Sequence, residues 1–116
     1  MRQPFSIYLR TYRKKFGLTQ REAALLVGME TGQIVSRHES KLRIPGLKTA
    51  IAYQTVFDVP LRALLPELYR EVEDVVLQRA YELRDRLIAE PKSQRNEHKL
   101  RCVEQIIQHI ETPDDV

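Results

Sequence analysis

Three polar side chains in the N-terminal half carry hydrogen-bonding groups suited to recognising another molecule. Gln33, Ser36 and Arg37 are spaced so that they point from one side of a predicted helix. Together they present an amide, a hydroxyl and a guanidinium, which donate and accept hydrogen bonds. No nucleophile–base pair and no glycine-rich phosphate loop is visible in the sequence. The pattern therefore predicts a binding surface, and the positions around it must supply the helices that orient it.

The histidines and the cysteine do not have the spacing of a catalytic or metal centre. We expect His38, His98, His109 and Cys102 to fall on different helices, without ligand spacing. A single cysteine cannot form an internal disulfide or a thiolate-rich zinc site. His38 is predicted to be a partly buried packing residue and Cys102 a semi-buried hydrophobe. We expect no enzymatic activity, no cofactor and no metal.

Length and composition fit one compact domain, or a small domain with an extension. The chain has 116 residues, 42% of them hydrophobic and 30% charged. It has no run of about eighteen apolar residues that could span a membrane, and its N-terminus has no apolar stretch typical of a secretory signal. These features predict a soluble protein of the reducing cytoplasm that makes no membrane contact.

Charge is unevenly distributed between the two halves of the chain. Residues 1–49 hold ten basic and three acidic residues, a net of +7, whereas the remaining residues sum to −4. A basic half that carries the polar helix is the expected layout of a surface that binds a polyanion. Chance variation in surface charge is the alternative interpretation.

The polar helix follows a second predicted helix after a short turn. Thr19 and Glu22 have the spacing of a capping box at the start of the first of these helices. Gly28 ends that helix where a left-handed residue is favourable, and Thr31 is placed to cap the next one. Two helices joined by a glycine-containing turn, with an arginine on the second, are typical of a helix-turn-helix that reads DNA.

Three more helices complete a compact all-α N-terminal domain. Helix 1 is predicted from about Pro4 to Lys15, and its apolar residues recur at three- and four-residue steps: Phe5, Tyr8, Leu9, Tyr12 and Phe16. A fourth helix is marked by a second apolar set: Leu47, Ala50, Ile51, Tyr53 and Phe57. Val59-Pro60 starts the fifth, whose apolar side is formed by Leu61, Leu64 and Leu65.

The rest of the chain predicts a pair of long helices. One keeps a helical pattern from Pro66 to Glu90, Pro91 stops it, and Ser93 or Asn96 can cap the next helix. In that last helix the apolar residues have coiled-coil spacing: Leu100, Val103, Ile107 and Ile110. We predict an antiparallel hairpin and divide the chain into a DNA-binding domain (1–66) and an extension (67–116). The extension either mediates dimerisation or partner binding, or caps the first domain within one chain.

The N-terminal part of the sequence resembles the lambda-repressor-like (Xre-type) helix-turn-helix family over about residues 9–65. The resemblance is carried by several short motifs at family-like spacing: Leu9-Arg10 and Arg13, Gly17-Leu18-Thr19-Gln20, Ala24, Gly28, Ser36-Arg37, Glu39, Arg43-Ile44-Pro45, Leu47, and Val59 with Leu61 and Leu64. It implies a fold of five short helices, the third of which (about 32–39) lies in the DNA major groove. Members are mostly transcriptional repressors or activators that bind operators as dimers.

The resemblance also implies roles for individual residues. Gln33 and Arg37 would address base edges, because Gln pairs with adenine and Arg with guanine, and Ser36 would contact a base or phosphate. The remaining candidates would contact the phosphate backbone: Gln20, Thr31, Lys41, Arg43, and Arg13 or Lys14. Gln20 could also brace a recognition side chain. The alternative for Arg37 is an ion pair with Glu39.

Three positions depart from the family pattern. Counting back from Glu39 makes Val35 the buried position of the third helix, whereas counting forward from Gly28 makes it Ile34. We resolve the difference by placing one extra residue at 29–30, ahead of a Thr31 cap. His38 replaces an apolar residue, and Lys41 replaces the glycine expected after the helix, so a favourable left-handed residue is lost there.

The sequence therefore predicts a DNA-binding transcription regulator, a repressor of bacterial, phage or plasmid origin. We expect a homodimer on a palindromic site of double-stranded DNA. The alternative is an antitoxin-type protein that binds a protein partner through its C-terminal helices and regulates its own operon.

Overall fold

A computed structural model of the protein describes residues 6–112, with side chains from residue 8 onward, and this part of the chain contains seven helices. They are α1 (Ser6–Lys15), α2 (Gln20–Leu26), α3 (Gly32–Glu39), α4 (Leu47–Phe57), α5 (Leu61–Leu64), α6 (Pro66–Ala89) and α7 (Gln94–Glu111). No strand occurs within residues 6–112, so the predicted all-α class is confirmed. The chain divides into two compact units, 1–69 and 70–116. The boundary at 66/67 falls within the first turn of α6, three residues before this division, and stays a prediction. Phe5 and Pro4 lie outside the described residues.

The ends of the first three helices share one hydrogen-bonding pattern, the Schellman motif. In α1 the amide of Gly17 donates to Lys14 and that of Leu18 to Arg13, and in α2 the amide of Gly28 donates to Leu25 and that of Met29 to Ala24. The second residue past each helix end must be left-handed in this motif, and Gly17 and Gly28 have φ of 70° and 81°. The predicted turn at Gly28 is confirmed.

The starts of α2 and α3 differ in how they are capped. Thr19 Oγ1 accepts from the amide of Glu22 at 3.0 Å, and Glu22 Oε1 accepts from the amide of Thr19 at 2.8 Å. The predicted capping box is thus confirmed. Thr31 occupies the predicted cap position of α3 with extended backbone, but its side chain makes no capping hydrogen bond. The hydroxyl cap expected there is therefore wrong.

The core of the first unit lies between α1, α4 and α5. Its buried residues include Leu9, Tyr53, Phe57 and Leu64, and the rings of Tyr53 and Phe57 stack with centroids 6.3 Å apart. α4 buries the face that carries Ala50, Tyr53 and Phe57. Burial of side chains of this size stabilises the fold by roughly 1.5–3 kcal/mol each.

Two residues predicted for the apolar side of α4 do not lie in the core. Leu47 is 74% exposed and Ile51 is 48% exposed. Tyr8, in the first turn of α1, and Phe16, just past its end, are also exposed, at 41% and 50%. The ring of Phe16 still contacts the edge of Phe57 at 5.2 Å. The apolar face of each helix is wider than the surface that neighbouring elements cover, and a helix face is buried only where another element covers it.

The second unit contains the predicted helical hairpin, which is confirmed. Ala80 and Leu87 of α6 pack with Val103 and Ile107 of α7 in one buried cluster. The loop ends at Ser93, whose Oγ accepts from the amide of Asn96 at 3.1 Å and so caps α7. At the other end of the hairpin the hydroxyl of Tyr81 donates to the carboxylate of Glu111, which raises the pKa of that tyrosine.

Candidate nucleic-acid interface

α3 is held against α2 by a contact between small residues. Ala23, Ala24 and Val35 are each 1% exposed and form one cluster. A Cβ at Gly32 would lie 3.1 Å from the backbone nitrogen of Arg21 and 3.2 Å from the carbonyl carbon of Gln20. Glycine thus lets the first turn of α3 approach the first turn of α2, a requirement that sequence reasoning missed. Val35 is buried and Ile34 only half-buried, as counting back from Glu39 predicts, whereas the extra residue at 29–30 stays a prediction.

A buried ion pair joins α1 to the end of α3. Arg13 donates through Nε to Glu39 Oε2 at 2.6 Å and through Nη2 to Oε1 at 3.1 Å, while Nη1 donates to the carbonyl of Leu18 at 2.9 Å. Gln20 Nε2 donates to Glu39 Oε1 at 3.1 Å. The hydrogen bonds that Arg13 and Gln20 donate to Glu39 fix the last turn of α3 relative to α1 and α2.

The ion pair changes the interpretation of two predicted phosphate contacts. Arg13 is 8% exposed, and its guanidinium donates hydrogen bonds to Glu39 and Leu18. It is therefore poorly placed for the predicted flanking contact with a phosphate. Gln20 is half-buried, and its amide donates to Glu39 and not to one of the predicted recognition side chains. The pair also accounts for Glu39, which was considered as a partner for Arg37. Arg13 and Glu39 are 26 residues apart in sequence, which is why helical periodicity did not reveal their ion pair.

His38 packs against α4 through a polar contact. Its Nδ1 lies 2.8 Å from the hydroxyl of Tyr53, and the two rings meet edge to face. The imidazole is buried, as expected of a packing residue, and more fully than the predicted partial burial. Burial, and secondarily the charge of Arg43, lower the pKa of His38, which therefore remains neutral near pH 7. Burial and the charge of Glu39 raise the pKa of Tyr53.

The opposite face of α3 is open to solvent. Gln33 and Arg37 are exposed one turn apart, Ser36 beside them is half-buried, and Thr31 before the helix is exposed. Within the described part of the chain, Arg37 has no ion-pair partner. Lys14, at the end of α1, is also exposed. The amide and guanidinium are thus oriented outward by a helix whose other face is fixed.

The end of α3 repeats the Schellman motif with a lysine in the glycine position. The amide of Lys41 donates to His38 at 3.3 Å and that of Leu42 to Arg37 at 3.0 Å, and Lys41 has φ of 68°. The backbone is therefore left-handed although the glycine is absent. The ammonium of Lys41 lies 3.2 Å from Glu67 Oε1 in the first turn of α6. Arg43, two residues further on, is exposed.

The chemistry of the other titratable residues does not form a second site. His98, Cys102 and His109 all lie on α7, so their predicted placement on different helices is wrong. His98 Nε2 lies 3.7 Å from Cys102 Sγ. Across residues 6–112 there is no cluster of three or more His, Cys, Asp or Glu arranged to hold a metal. None of the helices described is long and apolar enough to cross a membrane.

Comparison with known proteins identifies the N-terminal unit. Residues 9–64 match the model of a helix-turn-helix family, and this segment is of the lambda-repressor-like (Xre-type) helix-turn-helix kind. The domain is of the DNA-binding, transcription-regulating kind and is not an enzyme family. No curated protein and no solved structure matches the chain.

Proposed function

We propose that this protein is a sequence-specific transcriptional repressor that reads the DNA major groove with α3. The observation that carries the proposal is the contrast between the two faces of that helix. Val35, His38 and Glu39 are buried and fix α3, whereas Gln33 and Arg37 are exposed. A rigid helix with an outward amide and guanidinium suits bidentate recognition of adenine and guanine. Ser36 adds a short hydroxyl at the same surface.

The phosphate backbone is bound by residues around α3 in this proposal. Thr31 and the amides at the start of α3 form one anchor, because a helix N-terminus attracts anions. The side chains of Lys14, Lys41 and Arg43 supply the cationic contacts. Arg13 and Gln20 act indirectly, since both donate to Glu39 and orient α3.

A selection experiment tests this function. The full chain is incubated with random double-stranded DNA, bound fragments are enriched and sequenced, and the selected site is footprinted. We expect a palindrome whose half-sites are about one helical turn, roughly 34 Å, apart. A shuffled sequence of equal composition is the control. Equal affinity for the selected and shuffled duplexes would refute sequence-specific recognition.

The chain acts as a homodimer in this proposal, because one such domain contacts few base pairs. The second unit offers an outer stripe on α6, defined here as Val72, Val75, Val76 and Leu83, whose side chains are 41–55% exposed. With about 100° per residue, the apolar positions of α6 span roughly 200°, more than the single helix α7 covers. We propose that the outer stripe meets a second copy of the chain.

The second candidate function is that of an antitoxin whose C-terminal helices bind a protein partner. The same outer stripe favours it, since exposed apolar patches mark protein contacts. Co-expression with the product of a neighbouring toxin gene distinguishes the two functions. If the intact chain restores growth to cells that express the toxin, and a variant with a polar outer stripe does not, the antitoxin function is supported. If the intact chain does not restore growth, that function is excluded.

A further inference from the structure

The first turn of α6 places a carboxylate beside a predicted phosphate contact. Glu67 Oε1 lies 3.2 Å from Lys41 Nζ, and the two side chains are 22% and 30% exposed. Both residues belong to the first compact unit, where Lys41 directly follows α3. The left-handed backbone at Lys41 fixes the direction in which its side chain leaves the chain. The position of the ammonium is therefore set by the end of α3 and by Glu67 together.

A lysine held by a carboxylate binds a phosphate less strongly than one surrounded by water and counterions. The phosphate must either displace the carboxylate or approach it, and two anions at one ammonium repel each other. Because both side chains are partly shielded from solvent, salt screens the pair less than a fully exposed one. The carboxylate thus lowers the gain from each Lys41–phosphate contact.

We propose that Glu67 is an affinity-limiting residue, which competes with the DNA backbone for Lys41 and keeps binding weaker than the basic surface alone would allow. The inference rests on the proposed function, since it assigns Glu67 a role in the same DNA interface. Glu67 acts on the position of the Lys41 ammonium and not on the bases. It therefore lowers the affinity for operator and for unrelated DNA equally. The sequence-specific contacts of α3 are unchanged.

The test compares three variants of the full chain by titration with the selected operator at several salt concentrations. Glu67→Gln removes the competing charge. Glu82→Gln is the matched control, since Glu82 is an exposed residue of the same helix and the change in net charge is identical. Lys41→Gly removes the ammonium and fits the left-handed backbone without strain.

We expect Glu67→Gln to bind roughly two- to five-fold more tightly than the wild type, the range of a weak ion pair. The slope of log affinity against log salt concentration should steepen by up to about 0.9, the value expected for one additional phosphate contact. Glu82→Gln should change neither value by as much. In the Lys41→Gly background, Glu67→Gln should have no larger effect than Glu82→Gln.

The outcomes separate this inference from the proposed function. If the wild type binds the operator but Glu67→Gln matches Glu82→Gln, the competition is disproved and the DNA-binding function stands. An increase that persists in the Lys41→Gly background would also overturn it, because Glu67 would then act without Lys41. If none of the variants discriminates operator from shuffled DNA, the proposed function itself fails.

Discussion

At the scale of single residues, Arg37 carries the sharpest prediction about DNA. Its guanidinium is exposed, and Glu39, its nearest acidic neighbour in sequence, is bonded to Arg13. We expect Arg37→Ala to weaken operator binding by about 1–3 kcal/mol and to relax the preference at one base pair. Binding assays with single-base operator variants measure both. Lys14→Ala is the control, predicted to weaken all duplexes alike. Unchanged affinity and selectivity in Arg37→Ala would contradict the assignment.

His38 makes the stability of the first unit depend on pH. Its pKa in the folded chain lies below the ordinary value of 6.5, so near and below that pH the unfolded chain binds more protons. The contribution of His38 to the free energy of unfolding is therefore complete above about pH 7 and decreases as the pH falls through 6.5.

The prediction is measured by urea unfolding between pH 7.5 and 5.5. The wild type should lose stability across this range, whereas His38→Asn, which keeps an amide near Nδ1, should be less stable at pH 7.5 but lose less on acidification. Parallel curves for the two proteins would show that another group causes the pH dependence.

At the scale of elements, the end of α3 differs from the ends of α1 and α2 by one side chain. A residue with a Cβ in the left-handed region costs about 1–2 kcal/mol, and Lys41 occupies that region. We expect Lys41→Gly to stabilise the chain by less than about 1 kcal/mol, because the weak pair with Glu67 and the entropy of glycine offset part of the gain.

Denaturant unfolding checks this expectation against Arg10→Gly, a matched change at an exposed position inside α1. That control should lose roughly 1 kcal/mol, since glycine disfavours a helix interior. An equal loss of stability in both variants would mean that the left-handed backbone at Lys41 carries no strain.

At the scale of the whole molecule, the outer stripe predicts self-association. Val72→Lys with Leu83→Lys adds two charges at exposed positions of α6, so the hairpin core of Ala80, Leu87 and Val103 is left intact. Sedimentation equilibrium at micromolar concentration should give a dimer for the wild type and a monomer for this variant.

The control for the outer stripe adds the same charge elsewhere. Gln78→Lys with Gln105→Lys changes two exposed polar residues of α6 and α7 and should remain dimeric. Circular dichroism confirms that the helices persist in each variant. A wild type that is monomeric at all concentrations would refute dimerisation. A Val72→Lys, Leu83→Lys variant that stays dimeric would refute the outer stripe as the dimer contact.

The sequence by itself determined the features that depend on neighbours in the chain. The capping box at Thr19, the turn at Gly28 and the two long helices all follow from residue types within a few positions of each other. Helix caps and helical periodicity are local, because backbone hydrogen bonds join residues three to five apart.

The tertiary structure alone decided which polar and apolar side chains find partners. Arg13 and Glu39 are 26 residues apart, as are Lys41 and Glu67, and periodicity carries no information about such pairs. Sequence reasoning therefore assigned Arg13 to DNA, although burial commits it to α3. For the same reason Leu47 and Ile51 were expected inside and lie outside, since an apolar face is buried only where the fold supplies a neighbour.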